Sequence, residues 1–167
     1  MSGEYLNQIP LFQGLDSSQC SLLQPLFQPS AYLAGDTIFE QGEHAKYLYL
    51  LTKGEVSISF KPEDGPSLTI ARVRPEGVVG WSAALGNPTY TSSAICCSDC
   101  QFLQIRGEDL RWLCERYPDT GSLILERLAA MIAERLRNTH DHVIALLKEG
   151  LRIRASGNNL FSPVRGD

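Results

Sequence analysis

Between Ser30 and Arg106 the chain alternates short apolar runs with turn signals, and this rhythm limits the folds open to it. "AYLA" meets Gly35-Asp36, "TIFE" meets Gly42, "YLYLLT" meets Lys53-Gly54, and "VSISF" meets "KPEDGP". "LTIARV" then meets "PEG", and "YTSSAICC" meets Ser98-Asp99 before "CQFLQI". Runs of 4–8 residues at roughly 8–12 residue spacing predict an antiparallel sandwich or barrel. Val56, Ile58 and Phe60 alternate with Ser57 and Ser59, the pattern of a half-buried strand.

The texture differs on both sides of this block. Residues 5–28 begin as helix, with Asp16 as N-cap and Gln19 three residues on, a capping-box pattern. Pro25 and Pro29 close that region. After the block, "GEDLRWLCERY" reads as a short amphipathic helix ending at Pro118. Asp119 or Thr120 can cap a longer one carrying the ladder Leu125, Leu128, Ile132, Leu136, Val143 and Leu147, with Gly150 as its C-terminal signal. A helix of about 28 residues spans about 42 Å. That is more than a small barrel needs to cover itself, so the surplus predicts a partner helix, most simply from a second copy. The expected layout is an N-terminal helical segment over 1–29, a barrel over 30–106, helices over 107–149 and a loose polar tail over 150–167.

Composition narrows function. The chain of 167 residues carries a net charge of −4. Residues 1–105 hold 5 Lys and Arg against 10 Asp and Glu, and the remainder hold 10 against 9. Neither part is the basic face that a nucleic-acid binder shows, so no direct DNA binding is expected. No apolar run approaches the roughly 18 residues of a membrane helix. The N-terminus lacks the basic and apolar regions of a signal peptide, so a cytoplasmic location is expected. Cys20, Cys96, Cys97, Cys100 and Cys114 form an odd set, which predicts free thiols rather than a disulfide framework. The Cys97–Cys100 pair has CxxC spacing but brackets a hairpin, so structural thiols are expected and no metal site is assigned. A redox role for Cys96, Cys97 and Cys100 stays open. Nothing resembles a nucleophile elbow or triad, so an enzyme is not expected.

The ordered glycines carry a resemblance. "AGDTIFEQGEHAKYLYLLTKGEVSI" resembles the first half of a cyclic nucleotide-binding domain, and "CQFLQI" resembles its last strand. "RLAAMIAERLRNTHDHV" is similar to the dimer-forming C-helix of catabolite-activator/FNR regulators. The likeness covers about residues 10–147. It implies a mainly β fold with flanking helices: a double-stranded β-helix (a jelly-roll-like barrel) with an N-terminal helix and a long C-terminal dimerisation helix. It also implies a phosphate-binding cassette, here over 80–92, whose ligand repositions the C-helix. About 20 residues follow that helix, too few for the winged helix-turn-helix of such regulators. The chain is therefore expected to be a stand-alone sensory module or a fragment of a regulator.

The cassette departs from the family pattern at both polar anchors. The family reads Gly-Glu-x-[Ala/Gly]-Leu, then Arg-[Ser/Thr]-Ala after a loop. Here the first part is Gly80-Trp81-Ser82-Ala83-Ala84-Leu85, so Trp81 stands where Glu would bond the ribose. The second is Tyr90-Thr91-Ser92, so Tyr90 stands where Arg would hold the phosphate; a register shifted by two puts Ser92 there. Losing one partner of a buried charge pair costs about 3–5 kcal/mol, or about two to three and a half decades of affinity. Arg72 or Arg74 on the preceding strand can replace the lost charge only by turning inward. Trp81 and Tyr90 either fill the old pocket or form an apolar, stackable one for a different, flatter ligand. The resemblance places Thr139 where a hydroxyl meets adenine, with His140 next to it; both also fit a polar break in a coiled-coil seam. His140 as an axial haem ligand is a remote alternative. No cofactor is expected, and a cyclic nucleotide is disfavoured. The expected role is a dimeric sensory or regulatory domain with an unidentified small-molecule or protein partner. A cAMP or cGMP effector domain and a ligand-free dimerisation scaffold are the alternatives.

Overall fold

In a computed structural model the chain is described over residues 6–158, without the side chains of residues 139, 142, 143, 146 and 152–158. A 3-10 turn at Pro10–Phe12 precedes helix α1, Ser17–Leu23. The Asp16 carboxylate accepts the Gln19 amide N–H at 2.8 Å, and the Gln19 side chain accepts the Asp16 N–H at 3.1 Å. This is the reciprocal box that the sequence predicts, and it satisfies two amide donors that the first helical turn cannot.

Eight strands follow: β1 (Gln28–Tyr32), β2 (Thr37–Phe39), β3 (Tyr47–Lys53), β4 (Val56–Phe60), β5 (Leu68–Val73), β6 (Val78–Val79), β7 (Ser93–Cys96) and β8 (Cys100–Arg106). They form two antiparallel sheets, in the orders β1-β8-β3-β6 and β2-β7-β4-β5. Each sheet mixes strands from both ends of the barrel block, as a jelly roll requires. Strand β1 takes in Pro29, which the sequence reading made a boundary. Proline is tolerated there because β1 lies at a sheet edge.

The two sheets bury different amounts of themselves. The outer face of β2-β7-β4-β5 is open: Arg72 and Ile95 are exposed, while Val56, Ile58 and Val73 point inward. The β1-β8-β3-β6 sheet is covered on both faces. Tyr49, Leu51 and Phe102 enter the barrel, and Leu48, Leu50, Leu103 and Ile105 pack under the helices. Two-sided burial explains why "YLYLL" reads as a continuous apolar run rather than an alternating one.

Helix α2 (Gly107–Arg116) and helix α3 (Pro118–Asn158) complete the chain. Leu110, Leu113, Ile124 and Leu128 join Leu6, Phe12, Leu23 and Phe27 in the core above that sheet. The Arg127 guanidinium donates to the Leu11 carbonyl at 2.8 Å and ties α3 to the N-terminal turn.

Three expectations need correction here. The short helix ends just before Pro118 as expected, but Pro118 itself opens α3 in place of the expected cap at Asp119 or Thr120, because a first-turn proline forfeits only an amide that has no partner anyway. Asp119 and Thr120 therefore lie inside the helix. Gly150 does not end it either: α3 has 41 residues, about 62 Å, and runs into the segment expected to be a loose tail. Leu128, assigned to a dimer seam, is 3% exposed within its own protomer's core.

The chain divides into two units, Met1–Ile132 and Ala133–Asp167. In the second, Leu136, Ile144, Leu147 and Leu151 are exposed along the helix. Among the described residues no helix is long and apolar enough to cross a membrane.

The capping box gives a direct check. Asp16→Ala is expected to cost about 1 kcal/mol, a fall in Tm of roughly 2–4 °C for a chain of this size. Calorimetry measures it, and an unchanged Tm would mean that packing alone holds α1 in place.

Candidate ligand site

The cassette begins where β6 ends. Gly80 adopts the left-handed conformation (φ 78°, ψ 27°) and caps the 3-10 turn Trp81–Ala83. A Cβ at this position would sit 2.8 Å from the Tyr47 carbonyl oxygen and 3.3 Å from the Phe39 and Tyr49 rings. Two independent constraints, a positive φ and the nearness of β3, therefore demand glycine. Neither involves a ligand.

The loop returns through a chain of backbone bonds. The Asn87 N–H donates to the Ser82 carbonyl (3.0 Å), the Ala45 N–H to Pro88 (3.0 Å), and the Tyr90 N–H to Glu43 (2.9 Å). His44 and Thr89 form an isolated bridge. Strand β7 starts at Ser93, so Tyr90 precedes the strand on which the sequence reading placed it.

Tyr90 is 4% exposed. Its ring stacks on Phe39 with centroids 3.8 Å apart and planes 17° apart. Its hydroxyl donates to the Tyr47 carbonyl at 2.6 Å and accepts the Tyr47 N–H at 3.0 Å. Phe39 also faces Tyr49, and Tyr49 meets Phe102 edge-on, with Tyr32 against Phe102 in turn. Burial raises the Tyr90 phenol above its ordinary value, against the pull of its bonds to the backbone. Burial, and then the nearby tyrosines Tyr32 and Tyr90, raise Tyr49 well beyond the tyrosine range. Both phenols are held neutral in the fold, so stability present below about pH 10 falls as the pH rises above it.

Trp81 lies elsewhere. It packs against the core between the β1-β8-β3-β6 sheet and the helices, whereas Tyr90 belongs to the barrel interior. The expectation that Trp81 and Tyr90 line one stackable pocket is not met. They belong to the two separate cores on either side of the β1-β8-β3-β6 sheet. Gly80 and Tyr90 do meet, through Phe39. Ser82 and Ala83 are buried, and Thr91 is exposed. His140 is exposed in the second unit, and the Thr139 and Val143 side chains lie outside the described residues.

Neither Arg72 nor Arg74 turns into the barrel interior. Arg72 alternates with the inward Ala71 and Val73, so it faces solvent and pairs with Glu55 at 2.9 Å. Arg74 is also exposed. Among the described residues no cluster of His, Cys, Asp and Glu is placed to hold a metal ion. The cysteines are free thiols. Burial, with a hydrogen bond to Cys100, pushes the Cys96 thiol up to about 12, so it stays protonated at neutral pH. Sequence reasoning missed Phe39, Tyr47 and Tyr49. The spacing of Tyr47 and Tyr49 along β3 was the available signal, since alternate residues share a strand face.

A two-sheet jelly roll with a glycine-capped turn and a return loop between β6 and β7 is the fold of cyclic nucleotide-binding domains. The sequence matches the cyclic nucleotide-binding domain family over residues 29–117, and the chain belongs to that family, in the form found in CRP/FNR-type regulators. It is 31% identical over 147 residues to the cyclic AMP receptor protein of Thermus thermophilus, covering 88% of this chain and 66% of that protein. It is 28% identical over 145 residues to a CRP-like cAMP-activated global transcriptional regulator of Mycobacterium tuberculosis, covering 86% and 62%. The chain thus spans just under two thirds of each regulator. Among solved structures, the catabolite activator protein of T. thermophilus aligns with a TM-score of 0.64 at 32% identity, over 83% of this chain and 63% of that one. A cyclic nucleotide-binding domain from Methylobacillus flagellatus aligns with a TM-score of 0.74 at 22% identity, over 85% and 80%, and supports the fold alone.

Tyr90→Phe keeps the ring and removes the hydroxyl, leaving the Tyr47 N–H without its partner. The expected loss is about 1–3 kcal/mol in urea denaturation. An unchanged midpoint would mean that the hydroxyl bonds contribute nothing to the fold.

Proposed function

We propose that the protein is a non-enzymatic sensory or regulatory domain that does not take cAMP through the family's arginine–phosphate clamp. One observation carries this reading: Tyr90, which the family resemblance puts at the position of the phosphate-binding Arg, is buried, stacked on Phe39 and bonded through its hydroxyl to the Tyr47 backbone. A cyclic phosphate is a monoanion, and backbone N–H groups alone hold it far less tightly than they do beside a guanidinium. The missing ion pair is worth about 3–5 kcal/mol. That places a site of micromolar affinity at about millimolar.

The similarity to cAMP receptor and cAMP-activated regulators favours a second reading, a cAMP effector domain, and one titration separates the two. Calorimetry with cAMP and cGMP is expected to give no binding tighter than about millimolar. Micromolar affinity for either nucleotide would overturn the first reading and support the second.

The domain works as a dimer through α3 in this proposal, without direct DNA contact, in the cytoplasm. Leu125 and Leu136 are exposed and Ile132 is half-buried, at spacings of seven and four residues, which suits a helix seam. Leu136→Glu is expected to turn a dimer into a monomer in sedimentation velocity. A dimer that survives this change would place the interface elsewhere.

A further inference from the structure

The outer side of the cassette carries a feature that the cyclic nucleotide reading does not use. A surface pocket of about 140 Å³ opens between the loop at His44–Lys46, the end of the cassette at Gly86–Pro88, and the start of α2. His44, Lys46, Arg106 and Arg111 line it, with Glu108 as its one carboxylate. Arg106 is committed to Asp109, with bonds of 3.0 and 3.2 Å. Among the described residues, neither Lys46 nor Arg111 forms an ion pair. Lys46 Nζ lies 5.3 Å from the Tyr47 ring centroid, and an atom of the Arg111 guanidinium lies 3.9 Å from where a Cβ on Gly86 would stand. His44 Nδ1 is 3.2 Å from the Pro88 carbonyl, so that nitrogen carries the hydrogen and the ring is fixed against the loop.

We propose that this pocket binds a small phosphate-bearing ligand, held chiefly by Lys46 and Arg111. The chain is acidic overall, at −4, and residues 1–105 hold only five of its basic residues besides histidine. Non-specific attraction of anions is therefore weak, and binding there must come from local groups. A guanidinium fork and an ammonium point charge arriving from different elements suit an anion with several acceptor oxygens. The pocket is smaller than the roughly 300 Å³ at which drug-sized sites begin, which favours a small phosphate over a nucleotide.

The placement also gives such a ligand a mechanical effect. The Gly107 N–H donates to the Lys46 carbonyl at 3.0 Å, and a Cβ on Gly107 would collide with the Ala83 carbonyl. An anion shared by Lys46 and Arg111 fastens α2 to the cassette at this joint. The site lies outside the barrel interior, so it stands independently of whether cyclic nucleotide binds.

The test is a nitrogen–proton correlation NMR titration of the full chain with sodium phosphate, against sodium chloride at matched ionic strength, and then with glycerol phosphate. Saturable shifts confined to residues 44–46, 83–88 and 106–111 are expected. Binding should weaken by about tenfold or more in a Lys46→Gln, Arg111→Gln double variant, since charge-assisted bonds are removed. Both side chains are exposed, so the variant's Tm should match the parent's. Tighter binding of glycerol phosphate identifies an organic phosphate as the ligand class, and equal binding identifies free phosphate; both support the site. Shifts that sodium chloride reproduces, or that saturate equally in the double variant, overturn it.

Discussion

The backbone of Tyr47 is the point on which the cassette rests. Its carbonyl oxygen lies so close to Gly80 that no side chain fits there. The same carbonyl accepts the Tyr90 hydroxyl, and the N–H of the same residue donates back to it. The first residue of β3 thereby fixes the entry to the cassette by exclusion and its exit by a pair of hydrogen bonds. A phenol is suited to this task because its oxygen both donates and accepts. Both bonds lie in a water-poor site, where an unmade bond is costly and a made one holds its geometry.

This arrangement separates two roles that one stretch of sequence serves together in the family. A glycine-capped turn can be kept by sterics alone, whatever the loop binds. Gly80 answers to φ and to Tyr47, and Gly107 answers to the Ala83 carbonyl on the far side of the same turn. The presence of these glycines therefore argues for the fold and says nothing about a ligand. The chemistry is decided by side chains that the fold does not dictate, at the positions of Trp81 and Tyr90. On the family resemblance, Trp81 and Tyr90 stand where that family carries two charged groups. A lone buried charge is costly, so the joint replacement is easier to accommodate than either change alone.

Most of the fold could be read from the sequence, for reasons that differ along it. Strands β4 and β5 match the predicted runs at both ends because each is bounded by turn chemistry and has one wet face. The capping box of α1 was visible because its partners lie three residues apart. The start of α3 at Pro118 and its continuation past Gly150 were not legible because proline and glycine each have two meanings. Proline stops a helix from within and starts one at its first turn, and glycine ends a helix only where the chain is free to turn. The site was less legible. The positions of Trp81 and Tyr90 against the family pattern could be read residue by residue. That Trp81 turns toward the helices while Tyr90 turns into the barrel could not, because a 3-10 turn of three residues carries no period from which to predict a facing.

The aromatic set inside the barrel bears on how a domain of the proposed kind would carry a signal. In a barrel where ligand completes the packing, binding and the position of the helices are coupled because the empty site is poorly packed. Here Phe39, Tyr49, Tyr90 and Phe102 already form a continuous set of ring contacts. Each such pair adds about 0.5–1.5 kcal/mol beyond the area it buries. On the proposed function, a nucleotide entering that space would have to displace a ring and break two hydrogen bonds, so part of its affinity would go into reorganisation before any helix moves. A signal that acts at the outer joint between the cassette and α2 meets no such barrier. It works on side chains already in solvent and on a contact, Gly107 against Ala83, that leads directly into the helices.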